Sequence, residues 1–337
     1  MSLNLEVKKL SRWYEQNKRE LPWRKNKNPY FVWISEVMLQ QTTVAAVIPY
    51  FERFIKNFPT VQSLAEAPLE KVLENWAGLG YYSRARNLHK SAIYFKQNGF
   101  LQKYEELIEL PGFGPYTARA VSSIVFEQET GVIDGNVIRV LSRMFGLKVK
   151  WWESNGRHVL QEQADQLVKY DKPSIVNQAL MELGATVCTP DKPLCVLCPW
   201  SQSCVANKEN ISTLLPLKKP KKKMLVWQFE PYLLEKNKKL LFIKNANFPF
   251  LKKIWFLPGK IKVLNTKPKA FLFKHSITNN YIYVTKPKKF IGCRENQIKN
   301  ILSEWSLTEN YDAKWIVEDE VYQFSPSSMT KKILESR

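Results

Sequence analysis

Four of the chain's five cysteines fall within seventeen residues. Cys188, Cys195, Cys198 and Cys204 are spaced C-x6-C-x2-C-x5-C, and Cys293 stands alone. Disulfide scaffolds are short, secreted and dense in cysteine, and a chain of 337 residues with five cysteines is none of these. Thiols clustered this way in a reducing compartment usually hold metal. Structural zinc takes two C-x2-C pairs from separate knuckles, but only one such pair occurs here. Four soft thiolates at uneven spacing suit an iron–sulfur cube, with zinc the weaker rival. The spacing lets four thiolates converge on one site.

Charge divides the chain. Lys and Arg number 51 and Asp and Glu 31, a net +20 that self-repels unless a polyanion is the partner. Residues 1–210 carry 26 basic and 21 acidic side chains, whereas residues 211–337 carry 25 and 10. Between them LPLKKPKKK (215–223) sets two prolines and five lysines against any packed element, which predicts a solvated basic linker over 211–224. The amino terminus lacks an apolar signal core and no later run suits a bilayer span. The expectation is a soluble, cytoplasmic protein with no membrane association.

Hydrophobic spacing separates the same two parts. Segments 44–56, 68–77, 81–98, 115–127, 136–145, 157–169 and 174–187 repeat apolar residues every three or four positions, which predicts helices. After residue 224, LVWQFEPYLLE, KLLFIKN, NNYIYVTKP and AKWIVEDE alternate as strands do, while ENQIKNILSEW and SSMTKKILES read as helices. The predicted architecture is a mainly α domain over 1–210, including the cysteine loop, followed by an α+β domain over 225–337.

Three segments carry chemistry. In LPGFGPYTARAV (110–121), Gly112 and Gly114 let backbone approach a ligand, and amides at the start of the next helix make an anion site suited to a DNA phosphate. In PYFVWISEVMLQQTT (29–43), Glu36 sits in an apolar run, where desolvation raises a carboxyl's pKa. In VIDGNVIRVLSRMFG (132–146), Asp134 precedes a helix as an N-cap and can also face a ligand. A protonated and an ionised carboxyl together are the pair that cleaves glycosidic bonds.

LPWR (21–24), SEVMLQQT (35–42), GLGYYSRARNL (78–88), LPGFGPYTA (110–118), IDGNV (133–137) and NQALMELGA (177–185), followed by the cysteine loop, occur in one order. Together they resemble the helix-hairpin-helix base-excision glycosylases, specifically adenine DNA glycosylases of the MutY type. The C-terminal part resembles the Nudix-like recognition domain of that family, with KKIWFLPGK (252–260) at its Trp/Phe–Pro–Gly turn and no Nudix hydrolase box.

The resemblance implies a monomeric enzyme with a [4Fe-4S] cluster on the four cysteines. Its partner would be double-stranded DNA bearing an A:8-oxoguanine or A:G mispair. Glu36 would protonate the extruded adenine at N7 and later activate water, and Asp134 would stabilise the oxocarbenium ion electrostatically or trap it covalently; Asn136 and Tyr116 match positions that align them. Arg24 and Gln178 match positions lining the adenine pocket, and Gln41 and Tyr81 match wedges beside the opposite base. Tyr116 stands where the endonuclease III type has a lysine nucleophile, which implies a monofunctional glycosylase. The family's Phe-Ser-His loop finds its best match in Phe273-Lys274-His275, where an ammonium has no lone pair for the N7–H of 8-oxoguanine. Arg119, large for the hairpin helix, would add a backbone contact. Rival readings are a thymine-glycol or G·T mismatch glycosylase and a non-catalytic iron–sulfur DNA-binding or redox module.

Overall fold

The computed structural model describes residues 2–220, 223–245, 249–251, 254–303, 311–321, 325 and 327–337. The chain forms two compact units, with the division at Lys219 and Pro220. The first is helical: α1 (Leu3–Asn17), α2 (Pro29–Leu39), α3 (Val44–Asn57), α4 (Val61–Glu66), α5 (Leu69–Trp76), α6 (Tyr82–Asn98), α7 (Tyr104–Leu107), α8 (Pro115–Phe126), α9 (Gly135–Met144), α10 (Ser154–Leu167), α11 (Pro173–Thr186) and α12 (Val205–Lys208).

Local chemistry starts the helices that matter for the site. Asn28 caps α2, its side chain accepting from the Tyr30 amide, and Pro29 occupies the first turn. Pro115 and Pro173 open α8 and α11 in the same way. Gly112, at φ +86, turns the chain between α7 and α8, where a Cβ would lie 2.9 Å from Asn87 Cβ. The helices bury two main apolar clusters. One gathers Trp33, Phe54, Trp76 and Phe95, with α2 at its centre. The other gathers Leu10, Leu141, Leu160, Leu180 and Trp200, and Cys188, Cys198 and Cys204 pack against it. Helix α1, which the sequence reading left unassigned, buries Val7, Leu10, Ser11 and Tyr14 at helical spacing.

Residues 211–219, expected within a solvated linker, pack on the helical unit. Leu215 is buried, its carbonyl accepts from Arg143 Nε at 3.0 Å, and the Leu217 carbonyl accepts from Trp151 Nε1 at 2.9 Å. After a single 3-10 turn at Ser212–Leu214, Pro216 keeps the chain extended and leaves the carbonyls available to side-chain donors. Lys221 and Lys222 of that segment lie outside the described residues.

The second unit is built on one long strand, β1 (Leu225–Lys236), with β2 (Lys239–Asn245), β3 (Gly259–Leu264), β4 (Phe273–Ile277), β5 (Asn280–Val284), β6 (Lys288–Ile291) and β7 (Tyr311–Val317). The path runs β4-β5-β1-β2-β7. Residues 226–231 of β1 pair antiparallel with β3, while 232–235 pair parallel with β6. Helices α13 (Glu295–Ser303) and Ser328–Glu335 accompany the sheet, and Phe229, Phe242 and Ile282 lie in its core. Of the WFLPG turn, Phe256 bridges to Ile243 and Pro258 accepts from the Tyr232 amide at 2.7 Å. Lys252 and Lys253 before it, and Glu304 and Trp305 after α13, lie outside the described residues.

Candidate active site

Arg24, Glu36, Tyr116, Asp134, Asn136 and Gln178 line one cavity of about 940 Å³ in the helical unit. They come from five separate stretches of sequence, Asp134 and Asn136 sharing one, brought together by the packing of α2 on α8 and of α11 on α8 and α9. Gln41, Tyr81, Gly112 and Gly114 do not line it. Gln41 and Tyr81 are exposed and hold left-handed backbone, with φ +63 and +49.

Glu36 is 6% exposed, set on α2 among Trp33, Ile34, Val37 and Met38. The Tyr116 hydroxyl donates to its Oε2 at 2.6 Å. Burial pushes the Glu36 carboxyl up to about 7; the charge of Asp134 adds to that rise, while the Tyr116 hydrogen bond and Arg24 oppose it. Near neutral pH this carboxyl is therefore part protonated, as an acid needs to be.

Asp134 caps α9. Its Oδ1 accepts from the Val137 amide at 2.7 Å and its Oδ2 from Asn136 Nδ2 at 2.9 Å. Burial pushes its pKa up, and these hydrogen bonds and the nearby Arg139 pull it down.

Two arginines and one glutamate outside the sequence-based reading organise the walls. Arg139 donates to Asn136 Oδ1, the Gly184 carbonyl and the Cys188 carbonyl, at 2.8, 2.8 and 2.7 Å, so the residue holding Asp134 is tied to the cysteine loop. Arg143 reaches the same loop, donating to the carbonyls of Thr189 and Pro190 at 2.7 Å and to Cys188 Sγ at 3.4 Å. Glu182, fully buried, accepts from both Arg19 and Arg24 and fixes the Arg24 guanidinium at the cavity. In sequence these looked like ordinary polar positions on helices, and only tertiary packing distinguishes them.

Arg119 does not face outward. It pairs with Asp165 at 3.1 Å, donates to Thr130 and stacks on the Tyr104 ring, so the expected backbone contact is withdrawn. The four cysteines line a small common cavity with Arg143, and burial raises the Cys198 thiol to about 12, with Cys188, Cys204 and Cys195 adding to the rise. Among the described residues, no three His, Cys, Asp or Glu side chains are spaced to hold a single metal ion.

In the second unit, Phe273, Lys274 and His275 lie on strand β4 rather than in a loop, paired with Val284, Tyr283 and Ile282 of β5. Phe273 packs on the core, and Lys274 Nζ sits 3.5 Å from the centroid of the Tyr281 ring. The exposed turn is the next one, where Thr278 holds φ +51 and its hydroxyl donates to the Ile277 carbonyl at 2.8 Å.

Residues 34–169 match the HhH-GPD superfamily of base excision DNA repair proteins. The adenine DNA glycosylase of Buchnera aphidicola subsp. Baizongia pistaciae is 36% identical over 293 residues, covering 81% of this chain and 82% of that protein. The adenine DNA glycosylase of Rattus norvegicus is 49% identical over 208 residues, but the match spans 58% of this chain and 40% of the rat protein. Among solved structures, a thermostable thymine-DNA glycosylase is 25% identical with a TM-score of 0.56, covering 61% of this chain and 97% of that one. An endonuclease III–DNA complex, 24% identical with a TM-score of 0.51, shares the fold over 63% of the chain. A helical glycosylase fold and a relative aligned along most of its length place this chain in the adenine DNA glycosylase family.

Proposed function

We propose that the protein is a monofunctional DNA glycosylase that removes adenine opposite 8-oxoguanine or guanine in duplex DNA, acting as a monomer. The observation that carries this is the pair of carboxyls, Glu36 raised to about 7 and Asp134 held by three donors, in one cavity large enough for a base. Adenine must leave the stack to enter it. Glu36 gives its proton to N7 of the adenine as the C1′–N9 bond lengthens, so the base departs neutral. Positive charge grows on the sugar, and Asp134 opposes it. Glu36, now a carboxylate, accepts a proton from the water that attacks C1′. Tyr116 orients Glu36, Asn136 orients Asp134, and Arg24 and Gln178 line the base's position. A tyrosine at 116 forms no Schiff base, so strand cleavage does not accompany base release.

Gly112 and Gly114 serve a backbone phosphate, and Gln41 and Tyr81 wedge beside the base left behind. Four half-buried thiols lining one small cavity suit a [4Fe-4S] cluster held by Cys188, Cys195, Cys198 and Cys204. When bound, such a cluster closes the loop and keeps its thiols deprotonated. Iron and inorganic sulfide analysis of the purified protein tests it. The mixed sheet with its two helices supports a Nudix-like recognition domain, in which Thr278 rather than Lys274 presents a hydroxyl to the N7–H of 8-oxoguanine. No described helix is long and apolar enough to cross a membrane.

The test is base release from duplexes carrying adenine opposite 8-oxoguanine, guanine or cytosine, and thymine opposite guanine. Adenine release in the first two supports the proposal; release of thymine alone transfers the reading to a mismatch thymine glycosylase.

A further inference from the structure

Arg84, on α6, gathers two loops at once. Its NH1 donates to the carbonyls of Val37, Met38 and Gln40 at 2.8, 3.4 and 2.7 Å, which close the C-terminal end of α2. Its NH2 donates to the carbonyls of Leu79 and Gly80 at 3.2 and 3.4 Å. The guanidinium also lies 5.5 Å from the Trp76 ring and 5.4 Å from the Tyr81 ring. Among the described residues it makes no ion pair, its Nε has no partner, and burial pushes its pKa down. A partly desolvated cation held by carbonyl dipoles and ring faces, with no opposite charge beside it, costs stability, and a fold retains it where the geometry it imposes is needed.

What Arg84 imposes is the position of two strained residues. Gln40 immediately precedes Gln41 at φ +63, and Gly80 immediately precedes Tyr81 at φ +49. A non-glycine residue in the left-handed region is uncommon, and two exposed ones on loops pinned by a single side chain form a built pair. The same guanidinium grips the last turn of the helix that carries Glu36.

We infer that Arg84 is a positioning residue that sets Gln41 and Tyr81 as one wedge and ties it to the helix bearing the acid, so that duplex opening and delivery of the base to Glu36 share one anchor. The inference rests on the wedge role proposed above. Only a planar fork spans both loops: the compact ammonium of lysine keeps the charge but cannot reach five carbonyls in two directions.

The experiment measures single-turnover adenine release by full-length wild type and Arg84→Lys at saturating enzyme, on adenine opposite guanine and on adenine opposite an abasic analogue, whose adenine has no partner to leave. Arg84→Lys should slow release at least about tenfold on the paired substrate, and less than about twofold on the unpaired one. A second arm repeats the substitution in a Tyr81→Ala background, where it should cost much less than in wild type. Equal slowing on both substrates, or full additivity with Tyr81→Ala, overturns the inference, as does no slowing at all. Failure of the wild type to release adenine from either duplex instead overturns the proposed function.

Discussion

The Tyr116 hydroxyl donates to Oε2 of Glu36 across 2.6 Å, a contact between α8 and α2 that sits in the wall of the cavity. It favours the charged carboxylate, against the burial that favours the neutral acid. Burial wins, and the acid is poised near neutrality. In Tyr116→Phe the opposing hydrogen bond is gone, so Glu36 holds its proton to higher pH. The alkaline limb of single-turnover adenine release should move upward. The rate on the plateau should fall about tenfold because the acid is no longer oriented. A pH–rate profile of the two proteins checks this; a downward move of the limb contradicts it.

A carboxyl raised from 4.5 to about 7 also weakens the fold as pH rises. Below 4.5 both folded and unfolded states hold the proton and nothing is lost. Between 4.5 and 7 the unfolded chain ionises while the folded one resists, so stability falls; above 7 the loss is complete, at ~3 kcal/mol. Glu36→Gln keeps the shape without the charge. Denaturant unfolding at pH 5 and pH 8 should show the variant's advantage over wild type growing with pH. Parallel stabilities at both pH values would contradict the burial of an ionisable group.

Gly184 on α11 lies against Asn136, where a Cβ would come 2.5 Å from the asparagine's own Cβ and 3.0 Å from its Cα. Gly184→Ala must push Asn136, and with it Asp134, out of place. The overpacking should cost ~1–3 kcal/mol in thermal or chemical unfolding, and adenine release should fall further than that loss of folded protein accounts for. Gly135→Ala, where a Cβ meets nothing within 4 Å, is the control for stability.

The carboxyl pair was legible in sequence because each member sits in a short segment of strong local character: an apolar run around Glu36 and a helix-start signature at Asp134. The longer helices within 44–187 follow from periodicity for the same reason, down to proline and glycine punctuation, whereas α4, six residues long, is too short to show a repeat. Glu182, Arg139 and Arg84 were not legible, since their partners lie 158, 49 and 47 residues away and no local pattern marks a buried polar side chain. Strands β3, β4 and β6 escaped because short half-exposed strands rich in lysine lack clean alternation. The loop expected at Phe273-Lys274-His275 comes instead from its match to the Phe-Ser-His loop of the family, and the pairing of β4 with β5 overrides it.

That correction has a consequence for base recognition. With Lys274 seated over Tyr281 and Thr278 at the exposed turn, Thr278→Ala should lower the ratio of adenine release rates opposite 8-oxoguanine and guanine. Lys274→Ser should leave that ratio within about twofold, because one lost hydrogen bond of the needed kind is worth about 1 kcal/mol and the lysine supplies none. The two rates, measured for each variant, decide between the residues; the reverse pattern would return the role to position 274.

The central claim is that a protonated Glu36 and the charge of Asp134 act on the same extruded adenine. Single-turnover release of adenine from a duplex with 8-oxoguanine opposite, followed from pH 5 to pH 9 in wild type and Glu36→Gln, tests it most directly. The wild-type rate should fall on the alkaline side with a midpoint near 7. Glu36→Gln should bind the duplex with unchanged affinity and release no adenine at any pH. Adenine release by Glu36→Gln at the wild-type rate, or a wild-type rate that stays flat through pH 9, would contradict the account.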